Sequence, residues 1–505
     1  MRIPEHVVNH FKQALATFAL FLGGSLASCP IDAQGVRINP DGTGQALIYP
    51  YYTVRSGWIT LVSVVNHDLS RAKALRVRVV EGRNGATVAA FNLFLMPGDV
   101  WTGAALPGVN DADAPSLTSN DDSCAGGPAE LTRSPRFQLP FSSANYRSDT
   151  ALPAYQSLDR TREGFIEVIE IGTVNWGTRL FDQITRRGNY KDQPPLCATV
   201  RDADIVLYGE ERLHPPTGGL SGGGTLMNVA GGMSAEYTAV ALDHLWIDSF
   251  STTIRMTPSS DALPSLASGD NKVADLHIGG QRRLLAYATA VDAVSATLMS
   301  KRLTGDYAYT EDGVIRTSWV ITAPTRRYYM RGDTTRPFAR QWDSALANAC
   351  EGAEFDMSFD REGLGGTYDD FPTRPLIPNE GVCFHTTVLS FGSRGNDLLF
   401  DSQTWYGVRY QGMQGGGQRV LSPGKEGGHG LFSVYSGLGL GNGEGRTIAV
   451  NSAGEIAFDR VGPVTLAGLP LVGVGITTLK YATGNPQQNY ANGFPLIPER
   501  SIVTP

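Results

Sequence analysis

The chain has no excess of positive charge. Lysine and arginine number 42 against 49 aspartates and glutamates, a net charge of −7 over 505 residues. No basic patch stands out, so nucleic acid is a poor partner. Charge of either sign is scarce, at 18% of residues. No two cysteines stand at the close C-x-x-C spacing of a zinc site. The eight histidines form neither H-E-x-x-H nor H-x-H, so a metal hydrolase has no local signature. The first apolar run, Ala14–Ala27, is too short to span a bilayer.

That run reads instead as the centre of an export signal, with Arg2 and Lys12 in its polar head and small residues after it. Three processing sites compete. Leu26-Ala27-Ser28-Cys29 has the form of a lipobox that would make Cys29 a lipidated N-terminus, although Pro30 is an awkward neighbour. Cleavage after Ala33 or after Ala27 would release a soluble protein, and the Ala27 cut would leave an odd thiol. With 1–33 removed, Cys124, Cys197, Cys350 and Cys383 remain. Four cysteines allow three pairings. The nearest-neighbour pairing, Cys124–Cys197 and Cys350–Cys383, keeps each bridge within one half of the chain. Each such bridge is worth roughly 3.5–4.5 kcal/mol by chain entropy.

Glycine (59) and proline (29) are abundant, as in chains of short strands and tight turns. Trp58–Asn66 (WITLVSVVN) is nearly continuous in apolar residues and predicts a strand buried on both faces. Ala74–Gly82 (ALRVRVVEG) alternates, which puts Leu75, Val77 and Val79 inward and Arg76 and Arg78 in water. Asn84-Gly85 predicts the hairpin turn into Thr87–Met96, and Pro97-Gly98-Asp99 leads to a further strand at Val100. Residues 108–160 break the pattern and read as a surface insertion stapled by Cys124. Strands resume at Gly164–Gly172, Asp204–Tyr208, Gly224–Val229 and Tyr237–Leu242. Thr257–Asn271 is polar and reads as a linker; Asp292–Lys301 predicts a helix capped by Asp292. Strand-like segments recur from Thr317 to Lys480. The expected fold is mainly β: two immunoglobulin-like β-sandwich domains, 34–256 and 272–505, joined by 257–271, with long loops and one short helix.

The chemical motifs are thin. Gly219–Gly223 matches G-x-S-x-G, but Pro215-Pro216 stands where a nucleophile elbow needs a strand, so it reads as a glycine loop. Glu167 and Glu170 lie three apart in one strand and point to opposite faces. One should face water and the other meet an arginine. Asp111, Asp113, Asp121 and Asp122 offer hard oxygens on a loop, a candidate Ca²⁺ site without EF-hand spacing; no other cofactor is expected. Arg331-Gly332-Asp333 reads as a turn, and Gly437–Gly445 as a glycine-rich connection lacking a P-loop ending. Uneven strand spacing argues against an outer-membrane barrel.

The segments Gly44–Val54 (GQALIYPYYTV), Gly164–Gly172 and Thr317–Met330 (TSWVITAPTRRYYM) resemble a set of large exported or surface proteins of Gram-negative bacteria that carry no assigned activity. The resemblance implies a secreted or surface location and a β-rich fold, and it supplies no active-site motif. The functional expectation is a structural or adhesive protein, extracellular, on the outer cell surface or in the periplasm. It would act through contact with other envelope or extracellular proteins, itself included. A membrane would be reached only through a lipid on Cys29. The alternative is an exported protein that binds or hydrolyses carbohydrate, with Tyr49, Tyr51, Tyr52, Tyr328 and Tyr329 as a candidate glycan platform.

Overall fold

The computed structural model describes residues 34–127, 137–187, 193, 195–197, 213–247, 264–310, 313–330, 337–338, 340–351, 354–360, 365–367, 382–391, 405–406, 428–435, 439–450, 456–481 and 486–503. The export segment with Cys29, the strand expected at 204–208, the first part of the expected linker (257–263) and Arg331–Asp333 lie outside the described residues.

Among the described residues between 37 and 243, thirteen strands form. They are β1 (Arg37–Ile38), β2 (Ala46–Thr53), β3 (Ile59–Asn66), β4 (Ala72–Glu81), β5 (Thr87–Leu95) and β6 (Val100–Leu106). Then come β7 (Ser116–Ser119), β8 (Ala125–Gly126), β9 (Phe137–Pro140), β10 (Glu163–Val174), β11 (Leu220–Asn228), β12 (Met233–Thr238) and β13 (Val240–Asp243). They make two antiparallel sheets, ordered β1-β13-β2-β10-β4-β5-β8 and β12-β11-β3-β6-β7-β9. The sheets share one core. Leu75, Val77, Phe91 and Val168 come from the first, and Val64, Trp101, Leu139 and Leu226 from the second. Residues 108–160 are therefore no mere surface insertion. They supply strands to both sheets, because Leu117, Phe137, Leu139 and Tyr146 carry enough apolar surface to enter that core.

Two sheet faces depart from expectation. β3 alternates half-exposed and buried residues instead of burying both faces, as do β6 and β12 of the same six-stranded sheet, whose outer side no described element covers. β4 and β10 are buried throughout, so Arg76 and Arg78, at 1% exposure each, do not face water. At one end of this back face the helix α1 (Arg179–Ile184) packs Leu180 and Phe181 on Ala74, Phe94 and Ile171. At the other, Leu266, Leu276, Leu285 and Val294 pack on Ala46, Ile48 and Ile169. Pro264–Asn271 thus runs through the interior, with Asn271 donating to the Gln34 and His244 carbonyls at 3.0 and 2.8 Å.

Beyond residue 264 the long helix is α2 (Ala290–Leu298). Thr289, not Asp292, is its cap: Thr289 Oγ1 accepts from the Asp292 N–H and donates to Asp292 Oδ2. All nine residues of α2 are buried, which leaves no polar stripe to mark its start. Strands here form further antiparallel sheets. One is ordered Trp405–Tyr406, Thr386–Phe391, Ile315–Thr322, Val472–Leu479, Tyr490–Pro495, its first pair parallel. Its Val320, Val388, Val474 and Ile476 enter the core of the first two sheets. On its other face Trp319, Ile321 and Leu389 meet Tyr307 and Leu303 of Arg302–Tyr309. With about 50% strand and 9% helix, the protein is mainly β, built of several antiparallel sheets.

Both expected disulfides form, Cys124–Cys197 and Cys350–Cys383, and such bonds persist in oxidising compartments outside the cytoplasm. No described helix is long and apolar enough to cross a membrane. The second bridge staples a clasp. The Glu81 carboxylate accepts from the N–H groups of Arg83, Asn84 and Ala86 (2.7–3.0 Å), which shapes the turn between β4 and β5. That turn projects into the later half of the chain. Arg83 lies over the rings of Tyr155 (3.8 Å) and Phe384 (4.6 Å) and donates to the Ala347 carbonyl. The Thr386 N–H donates to the Gly82 carbonyl, and the His385 ring fills the space a Cβ at Gly85 would need.

Candidate functional site

The tyrosines read as a glycan platform are interior. Tyr49, Tyr51 and Tyr52 have no exposed surface and Tyr329 is 4% exposed. Their hydroxyls turn inward: Tyr49 donates to the Ser63 carbonyl (2.7 Å), Tyr52 to the Thr161 carbonyl (2.9 Å), and Tyr329 reaches Asp292 Oδ1 (2.9 Å). Tyr328 is partly buried between two cores. No sugar face can reach the buried rings. The sequence marked them as aromatic in strands, where core packing is the commoner fate.

The four aspartates do not converge. Asp113 accepts from the Asn110 N–H (2.9 Å), and Asp121 from the Ser123 N–H and hydroxyl (2.9 and 2.7 Å). Asp122 pairs with Arg186 at 2.5 Å and Asp111 with Arg162 at 3.7 Å. Among the described residues no three His, Cys, Asp or Glu side chains could hold a metal ion together. Asp113 and Asp121 order their own turns, as short acidic side chains do, while Asp111 and Asp122 pair with arginines.

Glu167 and Glu170 do point to opposite faces, but neither reaches water. Glu167 meets Arg78 at 3.4 Å on the back of the seven-stranded sheet. Glu170 meets Lys73 at 2.9 Å and accepts from the Thr217 and Gly218 N–H groups (3.1 and 2.8 Å). Burial raises the pKa of both carboxyls, against the pull of their cations. A third buried cluster sets Arg160 against Glu81 and Asp149, at 2.8 Å each, over the Tyr146 ring. These pairs are interior and occupied, so they hold structure.

Gly219–Gly223 is no loop: Ser221 lies within β11. The glycines are there because a Cβ at Gly222 would strike the Tyr49 hydroxyl and one at Gly224 the Tyr237 ring. Ser221 Oγ lies 2.7 Å from His67 Nε2, near the surface. A nucleophile elbow turns sharply from strand to helix; a serine inside an antiparallel pair with β3 makes a surface hydrogen bond.

Among the exposed features of the described residues, two bear on function, and neither is legible as a motif. The first is Trp176, 67% exposed. Its indole N–H donates to the Ser70 carbonyl (2.8 Å), and its ring lies on Phe181 at 4.4 Å between centroids. One face is therefore covered and the remainder stands in solvent, held in one orientation. Leu69, 82% exposed, adjoins Ser70. The second is the uncovered face of the six-stranded sheet. Register aligns Glu236, Thr225, Leu61, Ala104 and Thr118 in one row across five strands. Beside it run Thr238, Gly223, Ser63 and Thr102, ending near Asn120. These small side chains floor an open furrow of about 870 Å³. Ile59 and Met227 pair along one side of it, and Val65 and Val100 along the other.

No protein-family model, no curated protein and no solved structure matches this chain.

Proposed function

We propose that this chain is an exported protein of the cell envelope or extracellular space, structural or adhesive, that works by contact with other proteins or with copies of itself. In this reading 1–33 is removed as a signal, and the sheets form two sandwich-like units of immunoglobulin type. The two disulfides fit an oxidising destination. The observation that carries the reading is the pinned, exposed Trp176, whose hydrogen-bond partner Ser70 follows the exposed Leu69 in the chain. A tryptophan already fixed in place loses little entropy on binding, and such residues anchor protein interfaces.

The test is to locate the protein in fractionated native cells and medium and image that fraction by electron microscopy. Filaments, sheets or a stable complex with an envelope protein are expected. Leu69→Asp should dissolve them while changing thermal stability by no more than about 0.5 kcal/mol, as for other surface sites. Dispersed monomers without a protein partner, or assemblies indifferent to Leu69→Asp, would overturn the reading. A second reading, a carbohydrate-binding protein, is favoured by the hydroxyl-lined furrow.

A further inference from the structure

We infer that the furrow across the six-stranded sheet binds a neutral, chain-like carbohydrate, lying at right angles to the strands. This deepens the second reading above and is independent of the Leu69–Trp176 patch.

Shape comes first. Five adjacent strands, β12, β11, β3, β6 and β7, cross the floor. At about 4.8 Å between neighbours the floor is about 19 Å long, and its 870 Å³ falls in the range of small-ligand sites. An elongated occupant of several repeating units fits such a trough better than a compact one.

Chemistry narrows it further. Thr238, Thr102 and Thr225 place three solvent-facing hydroxyls along the trough, each able both to donate and to accept. Those of Ser63 and Thr118 donate to the Gly223 and Ala104 carbonyls and keep only their accepting side. A ligand that is itself a row of hydroxyls can satisfy them in either sense. Leu61, half-exposed in the floor of the furrow, offers apolar contact to the C–H edges of a sugar chain.

Charge selects among polymers. Among the described residues, the carboxylates lining the furrow are Glu236 and Asp121, and no Lys, Arg or His lines it. An acidic polysaccharide or a nucleic acid would be repelled, while a neutral chain meets no penalty. Glu236 sits on β12 and Asp121 in the turn after β7, with β11, β3 and β6 between those two strands, so they are not placed as the close carboxylate pair of a glycosidase. The furrow therefore binds and does not cleave.

The experiment titrates the full, oxidised protein by calorimetry with neutral gluco-, manno- and chito-oligosaccharides of two to six units. Affinity should rise with length in at least one series and level off once the trough is filled. Thr102→Leu and Thr225→Leu, which remove outward hydroxyls from exposed strand positions, should each weaken binding at least tenfold with an unchanged circular dichroism spectrum and melt. Ser63→Ala, the milder change, guards against misfolding and should weaken it severalfold. Failure of every neutral series, equal binding by the three variants, or tighter binding of an acidic polysaccharide or an extended peptide would overturn the inference. Should the sugars fail while Leu69→Asp still abolishes assembly, the contact reading stands without this one.

Discussion

His385 shows how a single side chain can set the acid response of the molecule. It is 1% exposed, and among the described residues its Nε2 has no hydrogen-bond partner. Burial, with Arg326, Arg327 and Arg160 nearby, holds its pKa well below the usual histidine range, against a weak backbone contact to Arg83. Above pH about 6.5 the ring is neutral folded and unfolded and contributes no pH dependence. Below that, the unfolded chain takes up a proton that the folded ring refuses. Stability then falls by about 1.4 kcal/mol per pH unit until the folded pKa is reached. Glu167 and Glu170, whose pKa values are raised, lean the other way, losing stability as pH rises from about 4.5. Their effect is common to both proteins and cancels in a comparison with His385→Gln. Denaturant titrations from pH 7 to 5 should show the wild type losing stability faster than the variant by that slope. Parallel curves would mean that His385 is not held neutral.

At the scale of elements, the clasp around the β4–β5 turn is closed by the Cys350–Cys383 bridge, 33 residues apart. Replacing both cysteines by serine should cost roughly 3–4 kcal/mol. The loss should appear first at the clasp, as faster amide exchange at Thr386 and His385, whose N–H groups bond the Gly82 and Arg83 carbonyls. Uniform exchange across the molecule would show instead that the clasp is no separate unit. Elements were also the scale at which the sequence was most readable. β4, β5 and β10 follow from alternating or continuous apolar runs, and the turn between β4 and β5 from Asn84-Gly85. The α2 start was missed by three residues because a helix buried on every side has no polar face to break the pattern. The furrow was not legible at all. It exists only through the register of five strands drawn from residues 59 to 238, and no local pattern encodes that register.

For the whole molecule, alternation tells which residues of a strand share a face but not what will lie on it. Arg78 and Glu167 looked half-solvated because their cover comes from far along the chain: the Pro264 carbonyl accepts from Arg78 at 3.2 Å, and Arg327 and Tyr328 add to the same pocket. A chain is made from its N-terminus, so β4 and β10 exist before Pro264–Leu298 has been synthesised. During that interval the back of the seven-stranded sheet lies open to water, and a wholly apolar back would invite other chains to stick. A charged pair such as Arg78 and Glu167 would keep such a surface wetter, a role that removing both charges tests. Their cost in the finished fold is then the cost of a soluble intermediate. An Arg78→Leu, Glu167→Leu double variant should accordingly be as stable as the wild type or more so, since apolar replacements of buried pairs often are. It should also give a lower soluble yield on refolding by dilution from denaturant. Equal yields would remove this role from the pair, whose charge would then serve the young chain no better than the mature one.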